Sequence, residues 1–520
     1  MRVRRTIAVG LDGCSWNVLQ PLLETGRLPH LAALGEHGAS ATLESTIPFF
    51  TGPAWASIAT GCSPAAHGIY DFMMLRPDAR LSVAHQSDLR RPTYYQQLGQ
   101  DGQLSVLVNL PLDQEASQSA VIVNSWLTDD DARRILPADR SDRYAPWLES
   151  YRTFPSDPGD LDELCAIEEA RFALAKELFD AEPWSHFFVL FSSTDWLGHQ
   201  ATGRFLSGDE NARAAFLRLY EQLDSYIGWM VERAPDAVVF VLSDHGQCEE
   251  TAVVRVNAVL QGLGLVEVAS PDDREESPFF VDRRAKARRS IGIPNALGRY
   301  RHHRLVRPVA LAAKRTLRRG LDIELTRASR RVDMATSAAF SPTDASFAVY
   351  VRDGAADLDT IRDALLAVTL RDGRAAIDEV WTPEELYGYR VDDSAPTLLF
   401  SPAIGVRPSA AIKDSIVSPP RVAGRGCHQR DGMLVVGGPH VASGDLGRAS
   451  LLDVAPTLLW AVGAGVPRGV DGRVLVEAFE TDFASNNPVI ETEPAPLEGV
   501  VAVGEGSGEV ERRLKALGYT

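Results

Sequence analysis

His186-Phe-Phe-Val-Leu-Phe191, Asp195-Trp-Leu-Gly-His199, the run from Asp209 to Arg233, and Ala237-Val-Val-Phe-Val-Leu242 followed by Ser243-Asp-His-Gly246 together decide the fold. The first and last apolar runs have no polar face, so each predicts a strand buried on both sides. Between them Phe216, Leu219, Leu223, Ile227 and Met230 recur at helical spacing. Strand, helix and strand in that order predict a parallel sheet covered by helices. Outward from this unit, Thr6 to Leu11, Leu104 to Asn109 and Ala120 to Asn124 read as further strands. The expectation is an α/β sandwich with a mostly parallel central sheet and helices on both faces.

Acidic and imidazole groups recur at one place in this pattern. Asp12 follows the first strand, Asp195 follows His186 to Phe191, and Asp244 and His245 follow Ala237 to Leu242. In an open parallel sheet the carboxyl ends of the strands share one crevice, and ligands bind there. Asp195 and His199, four apart, fall on one face of a helical turn, within reach of one ion. Mixed Asp and His donors suit Zn2+, Mn2+ or Fe, whereas an all-oxygen set would suit Mg2+ or Ca2+. Each pair alone has a plainer reading, as a solvated helix face or a turn.

Composition narrows the class. The chain has 520 residues, is 45% hydrophobic and carries a formal net charge of -17. Such acidity argues against general nucleic-acid binding and favours a soluble cytosolic protein. The apolar run after Met-Arg-Val-Arg-Arg is too short for a signal segment, and no window suits a membrane span. Cys14, Cys62, Cys165, Cys248 and Cys427 are scattered and odd in number, as in a reducing cytoplasmic compartment.

An ordered set of motifs resembles one family. Gly10-Leu-Asp-Gly13, Ser45-Thr-Ile-Pro-Phe-Phe-Thr-Gly-Pro-Ala-Trp55, Thr60-Gly61 and Pro64-Ala-Ala-His-Gly-Ile69 come first. Asp195-Trp-Leu-Gly-His199, Ser243-Asp-His-Gly246, His428, Asp431-Gly-Met-Leu-Val-Val-Gly-Gly-Pro439 and Asp453-Val-Ala-Pro-Thr457 follow, with Glu511-Arg-Arg-Leu-Lys-Ala-Leu-Gly-Tyr519 at the end. The set is similar to the type I phosphodiesterases and nucleotide pyrophosphatases of the alkaline phosphatase superfamily. The resemblance implies an alkaline phosphatase-like three-layer sandwich and two divalent metal ions, Zn2+ first, with Mn2+ or Fe as alternatives. Asp195, His199 and His428 would hold one ion. Asp12, Asp244 and His245 would hold the other, with Thr51 Oγ bridging. Thr51 would be the nucleophile, in a turn just before a helix starting near Pro53. Metal coordination would lower the pKa of its hydroxyl, and a covalent phosphothreonine would form and then be hydrolysed. The implied activity is cleavage of a phosphodiester or pyrophosphate bond in a small phosphorylated substrate.

The chain also departs from that pattern. Where the family places an Asn after the His-Gly-Ile block to contact a phosphoryl oxygen, Asp71-Phe72 stands. Asn109-Leu-Pro-Leu112 runs into Asp113-Gln-Glu115 rather than an aromatic-Pro continuation. Cys62-Ser-Pro-Ala-Ala66 lacks the Arg of a sulfatase motif. Phosphomonoester or phosphonate hydrolysis and phosphotransfer remain the enzymatic alternatives, and a metal-containing binding protein the non-enzymatic one. His67 is expected to pack behind Thr51 rather than to ligate.

The expected organisation is a core at 1–265, a basic helical cap insertion at 266–330, the second part of the core at 331–480, and a linker with a C-terminal helix at 481–520. From Arg283 to Arg319 there are thirteen Lys or Arg and no acidic residue. That stretch reads as a solvated helical insertion, as a cap whose field draws an anionic substrate or partner, or, third, as a nucleic-acid-binding segment.

Overall fold

The apolar runs pair as neighbours in a nine-stranded sheet. Across it lie Gly444–Ser450, Ala39–Glu44, Asp431–Gly437, Ala237–Leu242, Arg5–Leu11, His186–Phe191, Ser105–Val108, Ala120–Val123 and Ile135–Leu136. The architecture comes from a computed structural model that describes residues 5–112, 120–127, 135–269, 332–352, 354–389, 395–497 and 512–514. Arg5–Leu11 is central and parallel to both neighbours, with Val9 beside Val189 on one side and Val241 on the other. The sheet is mixed: Asp431–Gly437 runs antiparallel to both strands that flank it, and Ile135–Leu136 antiparallel to Ala120–Val123. The remaining junctions are parallel.

Alternation along the strands divides the core into two. Ile7, Val9 and Leu11 point into one layer, with Val18, Leu31, Leu174 and Leu223 from the covering helices. Ala8 points into the other, with Trp55, Leu98 and Leu458. Gly10 is required by this second layer: a Cβ there would lie 2.6 Å from both Leu190 Cδ1 and Trp55 Cη2. The long helices Leu161–Ala181 and Glu210–Arg233 start at Asp160 and Asp209, whose carboxylates accept backbone N–H bonds of the first turn.

Of the block 331–480, only residues from Asp431 onward enter the large sheet. Ahead of them Ala339–Phe340, Ala348–Val351, Leu398–Pro402 and Ile377–Trp381 form a separate antiparallel sheet in that order. Within the expected linker, Phe483 is buried in the second core layer and Glu491–Thr492 pairs with Val466–Pro467. The basic stretch 283–319 lies outside the described residues, as does most of the 266–330 insertion. Of the expected C-terminal helix only 512–514 are described; they are helical, and Arg513 Nη1 donates to Trp126 O at 2.8 Å. Among the described residues no helix is long and apolar enough to cross a membrane.

Candidate functional site

The strands that end before Asp12, Asp195 and Asp244 are adjacent, so their carboxyl ends open on one crevice. Asp431–Gly437 runs the opposite way, so its start lies at the same edge, just after His428. Ala39–Glu44 also ends there, and residues 45–50 lead from it to Thr51. All seven side chains singled out in the sequence therefore gather at one edge, and all are buried.

Asp12, Asp244 and His245 offer ligand atoms within 4.8 Å of one another, and so do Asp195, His245 and His428. His245 thus reaches both groups, because its ring stacks on that of His428 with centroids 3.7 Å apart. His199 completes the second group: its Nε2 is 3.4 Å from Asp195 Oδ2 and 2.9 Å from His428 Nε2. Thr51 Oγ1 lies 3.2 Å from His245 Nε2, and the same nitrogen is 3.2 Å from Asp244 Oδ2. Thr51 itself is the first residue of helix Thr51–Thr60, which starts two residues earlier than Pro53 suggested. The unpaired N–H groups of that first turn favour an anion.

The electrostatics show what this cluster lacks. Burial, then repulsion from Asp244 and Asp195, holds the Asp12 carboxyl well above the usual range. Burial also raises Asp244. Burial would raise Asp195 too, but His199 and His428 outweigh it and hold that carboxyl well below the usual range. Burial, then repulsion from His245, brings His428 down to about 3. Asp12 Oδ1 and Asp244 Oδ2 are buried and receive no hydrogen bond. Carboxylates taken out of water without compensation are costly, and positive ions in the cluster would remove that cost. The residues present fit divalent ions, and the nitrogen and oxygen donors fit the Zn2+, Mn2+ or Fe type.

Surrounding residues orient the cluster. Gly13, at φ +65°, donates its N–H to Asp244 Oδ1, and a Cβ there would sit 2.8 Å from Asp195 Oδ1. Gln247 Nε2 donates to Asp195 Oδ1 at 2.6 Å, while its Oε1 accepts from Thr202 Oγ1 at 2.8 Å. Sequence reasoning missed Gln247, since an amide belongs to no metal-ligand pattern; its signal was the two-residue spacing from His245 along an extended segment. Asn109, at φ +66°, donates to Leu190 O and Ser192 Oγ and accepts from Trp126 N. It thereby ties the segment before Asp195 to the Trp126 loop.

His67 accepts the Ile69 N–H at Nδ1, so the proton sits on Nε2 and is donated to Ser57 Oγ on the Thr51 helix. Burial brings its pKa down to about 3. The Asp71 carboxylate accepts from Met73 N and from Thr343 Oγ1. Phe72 instead packs on the start of the helix, where a Cβ on Gly52 would be 3.0 Å from its ring. All five cysteines are free and buried, and Cys248 and Cys427 face each other with Sγ atoms 3.6 Å apart.

Four likenesses bear on this site. The sequence profile described as type I phosphodiesterase / nucleotide pyrophosphatase matches residues 6–415. Phosphonoacetate hydrolase from Sinorhizobium meliloti 1021, in complex with phosphonoformate, superposes with TM-score 0.58 at 18% identity, covering 89% of this chain and 96% of that one. Murine ectonucleotide pyrophosphatase / phosphodiesterase 5, as an inactive threonine-to-alanine variant in complex with AMP, gives 0.52 at 13%, covering 89% and 95%. Wild-type alkaline phosphatase PafA gives 0.55 at 12%, covering 92% and 99%. At these identities the structural likenesses establish the fold.

Proposed function

Because the chain belongs to the type I phosphodiesterase / nucleotide pyrophosphatase family, within the alkaline phosphatase superfamily, we propose that it is a two-ion hydrolase acting through a phosphothreonine on Thr51. The bond cleaved is a phosphodiester or pyrophosphate. The observation that carries this reading is the convergence of three carboxylates and three imidazoles on one threonine hydroxyl, with Asp12 Oδ1 and Asp244 Oδ2 left without donors.

Asp195, His199 and His428 would hold one ion, and Asp12, Asp244 and His245 the other, with Thr51 Oγ between them. Bound there, the ions supply the charge that lowers the hydroxyl pKa and offsets the charge of the phosphoryl group. Thr51 Oγ attacks phosphorus, the oxygen opposite departs with its electron pair, and water later breaks the Oγ–P bond. First-turn N–H groups of helix Thr51–Thr60 donate to the phosphoryl oxygens. Phe50, whose ring lies 4.7 Å from His428, and Phe72 present apolar surface beside the nucleophile and exclude water. The donor set favours Zn2+. The complexes of two relatives with phosphonoformate and AMP support a small phosphorylated substrate. The inactive threonine variant of the murine protein supports the role of Thr51. Five free cysteines support a cytoplasmic location.

The test is kcat/KM for bis-p-nitrophenyl phosphate and for p-nitrophenyl phosphate, in Zn2+ and in Mn2+, with wild type and Thr51→Ala. The diester is expected to be preferred, and Thr51→Ala to lose at least about a thousandfold in kcat with metals retained. Undiminished turnover by Thr51→Ala overturns the covalent mechanism. A monoester preference would move the assignment to a phosphomonoesterase.

A further inference from the structure

The separate antiparallel sheet supplies none of the seven clustered side chains, yet segments next to its strands hold the chain on both sides of the Thr51 helix. Tyr387, at the end of helix Pro383–Tyr387, accepts the Ile47 N–H at 2.8 Å and donates to Ile47 O at 2.7 Å. One hydroxyl therefore satisfies both backbone polar groups of a buried residue in the loop before Thr51. The Phe347 ring lies 4.8 Å from that of Phe49 and 6.0 Å from that of Phe50. Phe347 has φ +40°, a costly backbone angle for an aromatic residue, so its surroundings hold it there. Past the far end of the helix, Tyr389 donates to Asp471 Oδ2 at 2.6 Å and lies 3.3 Å from Ser63 Oγ.

We propose that Tyr387 is a positioning residue of the reaction, its hydroxyl fixing the loop that presents Thr51 to the ligand cluster. The inference rests on Thr51 being the nucleophile. Ring contacts tolerate small sliding, but a pair of hydrogen bonds to one peptide sets direction as well as distance. A nucleophile displaced by about 1 Å can lose roughly a hundredfold in rate while the substrate still binds. The effect therefore falls on kcat and spares both KM and the ions.

The experiment uses the full metal-loaded chain with bis-p-nitrophenyl phosphate. Tyr387→Phe is expected to lower kcat about tenfold to a hundredfold, with KM within about twofold and the bound-metal ratio unchanged. Tyr350→Phe removes a hydroxyl from the same sheet, where the ring stacks on Phe340, and is expected to match wild type. Phe347→Leu is expected to show the same split and to combine with Tyr387→Phe less than multiplicatively, because both act on one loop. It also carries the test if Tyr387→Phe fails to fold. Wild-type kcat in Tyr387→Phe, or a loss of kcat that tracks loss of metal, overturns the proposal. Thr51→Ala separates the two readings. If it is inactive while Tyr387→Phe is fully active, only the positioning role falls; if it is active, the nucleophile assignment falls first.

Discussion

Asp71 buries a carboxyl beside the crevice with only neutral partners. Burial pushes it up to about 7 from the ordinary 3.8. The folded state therefore keeps a proton that the unfolded chain has already lost, and the resulting stability is present below pH 3.8 and disappears as pH rises to about 7. Asp71→Asn removes that dependence. The free-energy advantage of the variant over wild type is expected to grow by up to about 1.4 kcal/mol per pH unit between those limits and then level off. Urea unfolding at stepped pH checks this, and a constant difference would mean the carboxyl is charged in the fold. Residues of this kind were opaque in the sequence. Asp71 was visible as a departure, but its bond to Thr343 depends on a partner in a loop distant in sequence. Gln247 was missed because an amide fits no metal-ligand pattern and because what it holds, Asp195, is distant in sequence. Asp12, Asp195, Asp244 and His245 were legible because each follows a strand that announces itself.

At the scale of elements, helix Ser193–Leu206 shows how tightly the supports are fitted. A Cβ on Gly198 would fall 1.8 Å from Gln247 Oε1. Gly198→Ala is expected to push the amide off Asp195, to destabilise the fold by about 1–3 kcal/mol, and to weaken ion binding by roughly ten- to a hundredfold. Titration against a competing chelator measures the second effect, and unchanged affinity would show that Gln247 does not orient Asp195. Strands His186–Phe191 and Ala237–Leu242 have the bounds the sequence suggests, because burial on both faces leaves an unbroken apolar run. The antiparallel placement of Asp431–Gly437 was not legible, because an apolar run carries no direction of pairing. The short strands of the second sheet were missed for another reason: Ile377–Trp381, for example, mixes buried and exposed positions without a clean period.

For the whole molecule, ions held by the buried carboxyls of Asp12 and Asp244 would make metal binding part of folding. Chelation is expected to lower Tm, each ion contributing about 2.7 kcal/mol when present at a hundred times its Kd. Thermal melts in EDTA and in Zn2+ check this; equal Tm values would mean that the cluster tolerates its charges alone.

Strand Ala39–Glu44, which leads to Thr51, lies in the sheet between Asp431–Gly437 and Gly444–Ser450. Both of its neighbours are made late in translation, as is His428. On the ribosome, the strand that leads to Thr51 thus cannot take its place in the sheet until residues 431–450 have emerged. The order of synthesis therefore puts the assembly of the crevice last, when the sheet is completed.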